Sequence, residues 1–400
     1  MLKIYKSVTV WCLIFFSIPS IAEGIIDIKP YVSTSIDYDD NVFRFSSPEQ
    51  AKAAFGSSTT SDTVKRVDLG VDINLRLSRQ LLTLSSNFND SRYNRFEILD
   101  NTGKSNRLSW SWRLGNDVYG ELTASKSEAI AGFNEIKQPV NNLRTSSHQI
   151  ASINWNLHPD WTLSTSYEKA KTENNLSNFK ALNREDDIYE SGVRYLNQRG
   201  TQLGLSYRVA DSNFPSRTGF TQLFFGDEST QKEIITNVAW LPTSKTRISA
   251  RISQVSLSHP GLSTRDFNGL SQRWNIDHSL TGQVNLNLSV YQEVNPVDDV
   301  ISTYVKTKGF SVNPNWIVTS KISLRGGFGY EERNYLGSAG ILFNNADRYD
   351  ESKLANLSLT YTPTRKSLIQ LQYQGERRSS NIDNSGYQFN NLNFLLRYDF

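Results

Sequence analysis

The chain has 400 residues, with 43 Lys and Arg against 40 Asp and Glu and a formal charge of +3. So even a balance gives no long-range field of one sign, which argues against nucleic acid as a partner. A mean hydropathy of −0.48 excludes a bundle of membrane helices, while 12% aromatics with one Met and 11 Pro fit a soluble β-sandwich array or a membrane β-barrel.

From the N-terminus, Lys3 and Lys6 precede an apolar run from Val8 to about Ile21, and Ser20-Ile21-Ala22 offers small residues where a signal peptidase reads. The expectation is a secretory signal over 1–22, cleaved after Ala22, with residues 23–400 exported through the periplasm as one domain. Cys12, the only cysteine, falls inside that leader. Disulfides and thiolate metal sites are therefore excluded from the mature chain, and no metal or cofactor is expected.

Beyond the leader the sequence alternates. From Val67 to Leu77, Val67, Leu69, Val71, Ile73, Leu75 and Leu77 interleave with Asp68, Gly70, Asp72, Asn74 and Arg76. The same period of two recurs over 151–157, 161–167, 203–209, 284–291, 322–330, 355–361 and 369–373. That is a strand signature, since successive side chains leave opposite faces of the pleat. Very short links near 79–80, 115–116, 158–160, 198–200, 242–245, 280–282, 318–320 and 363–365 alternate with longer polar stretches such as 47–61, 130–145, 172–186, 211–230 and 332–349. Hairpins with tight turns at one end and long loops at the other are the pattern of a transmembrane antiparallel barrel. The spacing predicts an all-β barrel of about 18 strands, 16 remaining open, with short periplasmic turns and long extracellular loops. Trp155, Trp161, Trp240, Trp316 and Tyr361 sit beside the tight turns on the apolar face, where a strand passes from hydrocarbon to headgroups. The expected location is the bacterial outer membrane.

If the apolar face meets lipid, its alternate lines the lumen. That face receives Arg66, Arg76, Arg194, Arg208, Arg247, Arg251, Arg273, Arg325 and Arg397, with carboxylates such as Asp68, Glu121 and Asp277 among them. A guanidinium matches carboxylate or phosphate, and Asn, Gln and Ser suit sugar hydroxyls. These arginines are the candidate glycan contacts, although cross-strand pairing accounts equally well for any single one of them. Catalytic patterns are poor. His148, His158, His259 and His278 show no metal spacing, and turn chemistry explains His158 and His259. No catalytic residue is expected.

The chain finishes on Asn391–Phe400, with Leu392, Phe394, Leu396, Tyr398 and Phe400 on one face. This last strand must close the barrel against the first, near 28–38. Phe394, Tyr398 and the terminal Phe400 resemble the signal read by the barrel assembly machinery.

Several stretches resemble the EpsL-type exopolysaccharide biosynthesis and export family of outer-membrane β-barrels, grouped with porin-like barrels. They are YVSTSIDYDDNVFR (31–44), FPSRTGFTQ (214–222), AWLPTSKTRISARIS (239–253), STRDFNGLSQRWNIDHSLTG (263–282) and NPNWIVTSKISLRGGFGYEERNYLG (313–337). The resemblance implies a conduit for a secreted polysaccharide, beside a polysaccharide synthase and inner-membrane export components, and supplies no catalytic residues. A general or oligosaccharide-uptake porin is the alternative, and a loop-borne outer-membrane hydrolase the second.

Overall fold

The structure, a computed structural model, describes residues 25–135, 137–296, 304–336 and 348–400, so the leader expected at 1–22 lies outside the described residues. Eighteen strands make one antiparallel sheet. In chain order they are β1 (Ile26–Asp39), β2 (Asp62–Leu77), β3 (Gln80–Tyr93), β4 (Asn101–Leu114), β5 (Val118–Ile130), β6 (Leu143–His158), β7 (Trp161–Asn174), β8 (Arg184–Leu196) and β9 (Gln202–Asn213). The second half follows as β10 (Glu228–Thr243), β11 (Thr246–Ser258), β12 (Phe267–Ser279), β13 (Val284–Pro296), β14 (Tyr304–Ile317), β15 (Ile322–Leu336), β16 (Tyr349–Thr364), β17 (Ser367–Ser380) and β18 (Tyr387–Asp399).

Every strand pairs with its sequence neighbours, and β1 also pairs with β18, so that Tyr31 faces Gly70 on one side and Asp399 on the other. The sheet closes on itself and leaves no unpaired edge in the hydrocarbon. Eighteen is therefore the strand number formed.

Alternation sets the two faces. Val67, Leu69, Leu108, Trp110, Leu163, Leu205 and Phe328 are exposed on the outside, as are Trp155, Trp161, Trp240, Trp316 and Tyr361 beside the turns. The tight turns need little chain; at the β4–β5 turn Gly115 takes φ +61°, a conformation that costs glycine nothing.

The strands are longer than the sequence suggests. The stretch 172–186 reads as loop, yet β7 runs to Asn174 and β8 starts at Arg184. Strands of 12 to 16 residues exceed the 9–11 that cross a bilayer, so the wall continues past the apolar belt. On that extension the outer face carries Lys104, Lys126, Lys169 and Lys171, the last paired with Glu173 at 3.1 Å and Glu185 at 3.0 Å. With both faces polar the period of two loses its contrast, which is why these segments resemble loops.

The loops opposite the turns are L1 (40–61), L2 (94–100), L3 (131–142), L4 (175–183), L5 (214–227), L6 (259–266) and L9 (381–386); most of L7 (297–303) and L8 (337–348) lies outside the described residues. L1 holds the helix α1 (Pro48–Phe55), capped by the Ser47 hydroxyl, which accepts from the Gln50 amide. Between this helix and its neighbours lies an apolar cluster of Phe43, Phe45, Ala51 and Leu99, joined by Phe55, Phe96 and Phe133 of L1, L2 and L3. It sits at the mouth, because the wall of a wide barrel has no second layer to pack against.

Candidate functional site

The inward face is polar from the turns to the mouth. β1 contributes Tyr31, Ser33 and Asp37, and the Ser33 hydroxyl donates to Asp68 at 3.3 Å. β18 contributes Asn391 and Asn393, both donating to Asp37. The nine arginines expected in the lumen fall at inward positions of this alternation, in separate groups.

Arg208 and Arg251 converge on Glu233, at 2.6 Å and 3.6 Å. Arg273 forms a two-pronged pair with Glu293, both bonds 2.7 Å. Arg397 bonds Asp399 and stacks over the Tyr31 ring at 3.8 Å. Arg66 donates to Ser91, Arg194 to Tyr119 and Thr162, and Arg325 to Asn315. Arg247 lies with Asp277 in a hollow near the turns, and Arg76 sits near the turn end of β2, its amide bonded to the Ile25 carbonyl. Outside, Tyr398 and Phe400 meet edge to face at 5.1 Å, and Phe394 is exposed on the same face.

At the mouth the barrel is spanned. L3 leaves the wall between β5 and β6, and its Glu135 reaches Arg378 on β17 at 2.6 Å and Arg348, just before β16, at 3.1 Å. By strand order β6 and β16 lie eight strands apart in a ring of eighteen, nearly opposite one another. L3 therefore crosses the opening. Around Glu135 the Arg378 side chain is 1% exposed and Asp350 fully buried, with Arg348 bonded to Asp350 at 2.6 Å. Tyr335 donates its hydroxyl to Glu135 at 3.3 Å.

Two residues on, the Lys137 ammonium donates to the carbonyl oxygens of Asn384, Ser385 and Gly386 in L9, at 2.7, 2.9 and 2.8 Å. Burial, followed by the nearby Arg378 and Arg348, lowers this amine to about 8. The root of L3 is held by the aromatic cluster, where Phe133 meets Phe43 at 4.9 Å. One end of the crossing is thus fastened by apolar packing and the other by charge.

The other half of the mouth, under L4, L5 and L6, is open inside. A cavity of about 450 Å³ is lined by five arginines and three glutamates, together with His259. Arg217 of L5 is buried and donates from Nε to the Ala181 carbonyl at 3.0 Å, and from Nη1 to those of Phe225 and Gly226 at 3.2 and 2.9 Å. Its plane lies over Phe214 at 3.6 Å. Arg265 of L6 also donates to the Phe225 oxygen. Burial, then the neighbouring Arg265 and Arg184, lowers Arg217 to about 10. His259 is 6% exposed, and its Nδ1 lies 3.6 Å from an Asp266 carboxylate oxygen, beyond hydrogen-bond distance. Burial, then Arg265, lowers it, so the ring is neutral at pH 7.

These mouth residues escape sequence reading. Glu135, Lys137, Arg217 and His259 sit in loops, where no period marks a side chain as inward. Turn chemistry accounts for His259 in the sequence, yet in space it lines a cavity. Arg378 alone had a signal, its even place on β17 beside Glu376. His148 bonds Glu168 and His278 bonds Thr246, both between neighbouring strands. Among the described residues no group of three metal-ligating side chains occurs.

No protein-family profile matches the sequence, and no curated protein matches it either. Solved structures do match in fold. The Pseudomonas aeruginosa OccK2 (OpdF) structure has a TM-score of 0.53 at 9% identity, covering 94% of this chain and 98% of that one. The same protein in complex with glucuronate gives 0.51 at 10%, with the same coverage. The outer membrane protein opdK of that organism gives 0.50 at 10%, covering 94% and 99%. The chain is a closed outer-membrane β-barrel.

Proposed function

We propose that this barrel is a passive channel for small hydrophilic solutes that carry a carboxylate. The observation that carries the reading is a polar wall studded with arginines, narrowed at the mouth by L3 bonded to the opposite side. Eighteen strands make a lumen too wide for side chains to fill, so a tied loop sets the opening. Such a loop suits small solutes better than a bulky polymer. Carboxylates match the guanidinium fork, and the Asn, Gln and Ser of the wall exchange bonds with sugar hydroxyls. A barrel of similar fold has been solved in complex with glucuronate, which supports this class of solute.

Export of an exopolysaccharide is the second reading, and a specific observation favours it. Two stretches that resemble the EpsL-type family, 214–222 and 263–282, build much of L5, L6 and β12 around the mouth cavity. The likeness is therefore local to a site and not confined to generic hairpins. In this reading the synthase and inner-membrane components supply the energy.

Reconstitution into planar bilayers tests the first reading. Steady conductance in KCl with anion preference, and faster liposome swelling in sugar acids than in neutral sugars of equal size, are expected. A non-conducting protein whose deletion strands polymer in the periplasm would transfer the case to export. Catalytic turnover of an oligosaccharide, abolished on replacing the histidines and acidic loop pairs, would favour the hydrolase.

A further inference from the structure

The outer face of the wall, just above its apolar belt, carries charges that a passage through the lumen does not use. On β2 the outward apolar positions run from Leu77 to Val67. Between them lie about 33 Å of strand, which at a tilt of about 40° is about 25 Å along the membrane normal, the height of the hydrocarbon band. The next outward residue, Lys65, therefore stands at the level of the headgroups.

Neighbouring strands repeat the choice. The first outward charge beyond Leu108 on β4 is Lys104, and beyond Leu122 on β5 it is Lys126. Beyond Leu357 on β16 it is Lys353, and beyond Tyr373 on β17 it is Arg377. These strands share one arc of the ring, with β18, β1 and β3 between them. The acids on that arc are engaged: Asp90 of β3 is held by Arg92 at 2.8 Å, and Asp40, just past β1, takes the Asn390 amide at 2.8 Å. On β8 and β9 the corresponding outward charges are Asp187 and Asp211, so a basic rim is local to the arc.

The second feature is the lack of partners. Among the described residues Lys65, Lys104, Lys126, Lys353 and Arg377 enter no ion pair and donate no side-chain hydrogen bond. Lys353 stands directly opposite Arg377 in the β16–β17 register, and Lys104 and Lys126 are diagonal neighbours on β4 and β5. Like charges so placed repel one another. Glu128 faces Lys104 in the register, yet it accepts from Thr145 at 3.5 Å. Glu351 takes the Tyr349 hydroxyl at 3.1 Å. Solvation alone asks for no one sign of charge, whereas an anion from outside the chain relieves the repulsion. Directly below lie Leu69, Leu108, Leu357 and Leu371, exposed on the same face, so the matching partner is an amphiphile with an anionic head.

We infer that this arc is a docking surface for a phosphorylated glycolipid of the outer leaflet. Its phosphates would sit between Lys104 and Lys126 and between Lys353 and Arg377, with its acyl chains along the belt below. The inference rests on the place of the barrel in the outer membrane and on nothing about what passes through it.

The test titrates the full barrel, in a non-ionic detergent, with diphosphoryl lipid A and with dephosphorylated lipid A as the neutral match. Native mass spectrometry counts the bound lipid. A cation at the headgroup level contributes about fivefold to binding an anionic lipid, so the diphosphoryl form should bind at least about tenfold tighter. About 0.5 M NaCl should remove most of that preference. Replacing Lys65, Lys104 and Lys126 together by Gln should weaken binding of the diphosphoryl form about tenfold or more. Lys353→Gln with Arg377→Gln should weaken it several-fold. A charge-matched control, Lys245→Gln with Arg365→Gln and Lys366→Gln at the tight turns, should bind like the parent. Heat-modifiable gel migration and KCl conductance should be kept in all three. If the triple variant loses its migration shift, the β16–β17 pair decides alone.

Equal affinity for the two lipids overturns the inference, as does a control variant that loses as much binding as the arc variants. Displacement of the lipid by millimolar inorganic phosphate overturns it too, since the arc would then be a site for free anions.

Discussion

The two halves of the mouth are built on opposite principles. Under L1, L2 and L3 the loops enclose a dry aromatic cluster, above a smaller cavity of about 350 Å³: Phe43, fully buried, has the rings of Phe45, Phe55, Phe96 and Phe133 within 5.7 Å. Under L4, L5 and L6 the interior is hollow and charged, and its phenylalanines lie beneath guanidiniums instead of against each other. Packing of the first kind fixes a loop in place, and a cavity of the second kind leaves room for a guest. The same barrel thus spends one half of its rim on rigidity and the other on chemistry.

Truncating one phenylalanine in each half tests that contrast with the largest effect. Phe43→Ala removes a fully enclosed ring, and comparable core truncations cost about 3–5 kcal/mol. Phe214→Ala removes a half-buried ring beneath Arg217, where the stacking loss is of the order of 1–2 kcal/mol. Limited proteolysis of L1 and L3 should rise sharply in the first variant, with L5 unaffected. Equal sensitivity of the two variants would show that the dry half is not the more rigid one.

Next in size is the tie across the opening. Glu135→Ala leaves Arg378 and Arg348 sharing Asp350, which lies 3.9 Å from Arg378. Breaking one partner of such a buried network costs about 3–5 kcal/mol, enough to release the loop while the closed sheet stays folded. Single-channel recordings should show a larger, noisier conductance than the parent. A trace identical to the parent would mean that L3 does not set the opening.

The legibility of this molecule follows the solvent on each face. Where lipid lies outside and water inside, as from Val67 to Leu77, neighbouring residues face different media and the sequence declares the strand and its sidedness. Past the apolar belt, at Lys169 and Lys171, water lies on both sides and the strand is hidden in plain polar sequence. In the loops the contrast is gone altogether. Glu135 meets Arg378 across 243 positions, a partnership that depends on barrel closure and on no local pattern. The arginine wall was readable for the first reason; the tie and the cavity were not, for the last.

The smallest predicted effect concerns Lys137, and its sign is fixed by linkage. With its amine held at about 8 in the closed loop, against an ordinary value of 10.5, the closed state sheds a proton that an opened, hydrated loop retains. Below pH 8 both states carry the proton, and the closed one bears the full burden of a buried charge. Between about 8 and 10.5 that burden is relieved, so closure gains as pH rises, by at most tenfold per pH unit. Openings of L3 should therefore become rarer from pH 8 to pH 10, in contrast to a simple electrostatic tie, which would loosen as the lysine lost its charge. Lys137→Met should abolish this pH dependence while leaving the Glu135 tie in place. More frequent openings at pH 10 in the parent would mean that the three L9 carbonyls hold the charged amine more firmly than burial disfavours it.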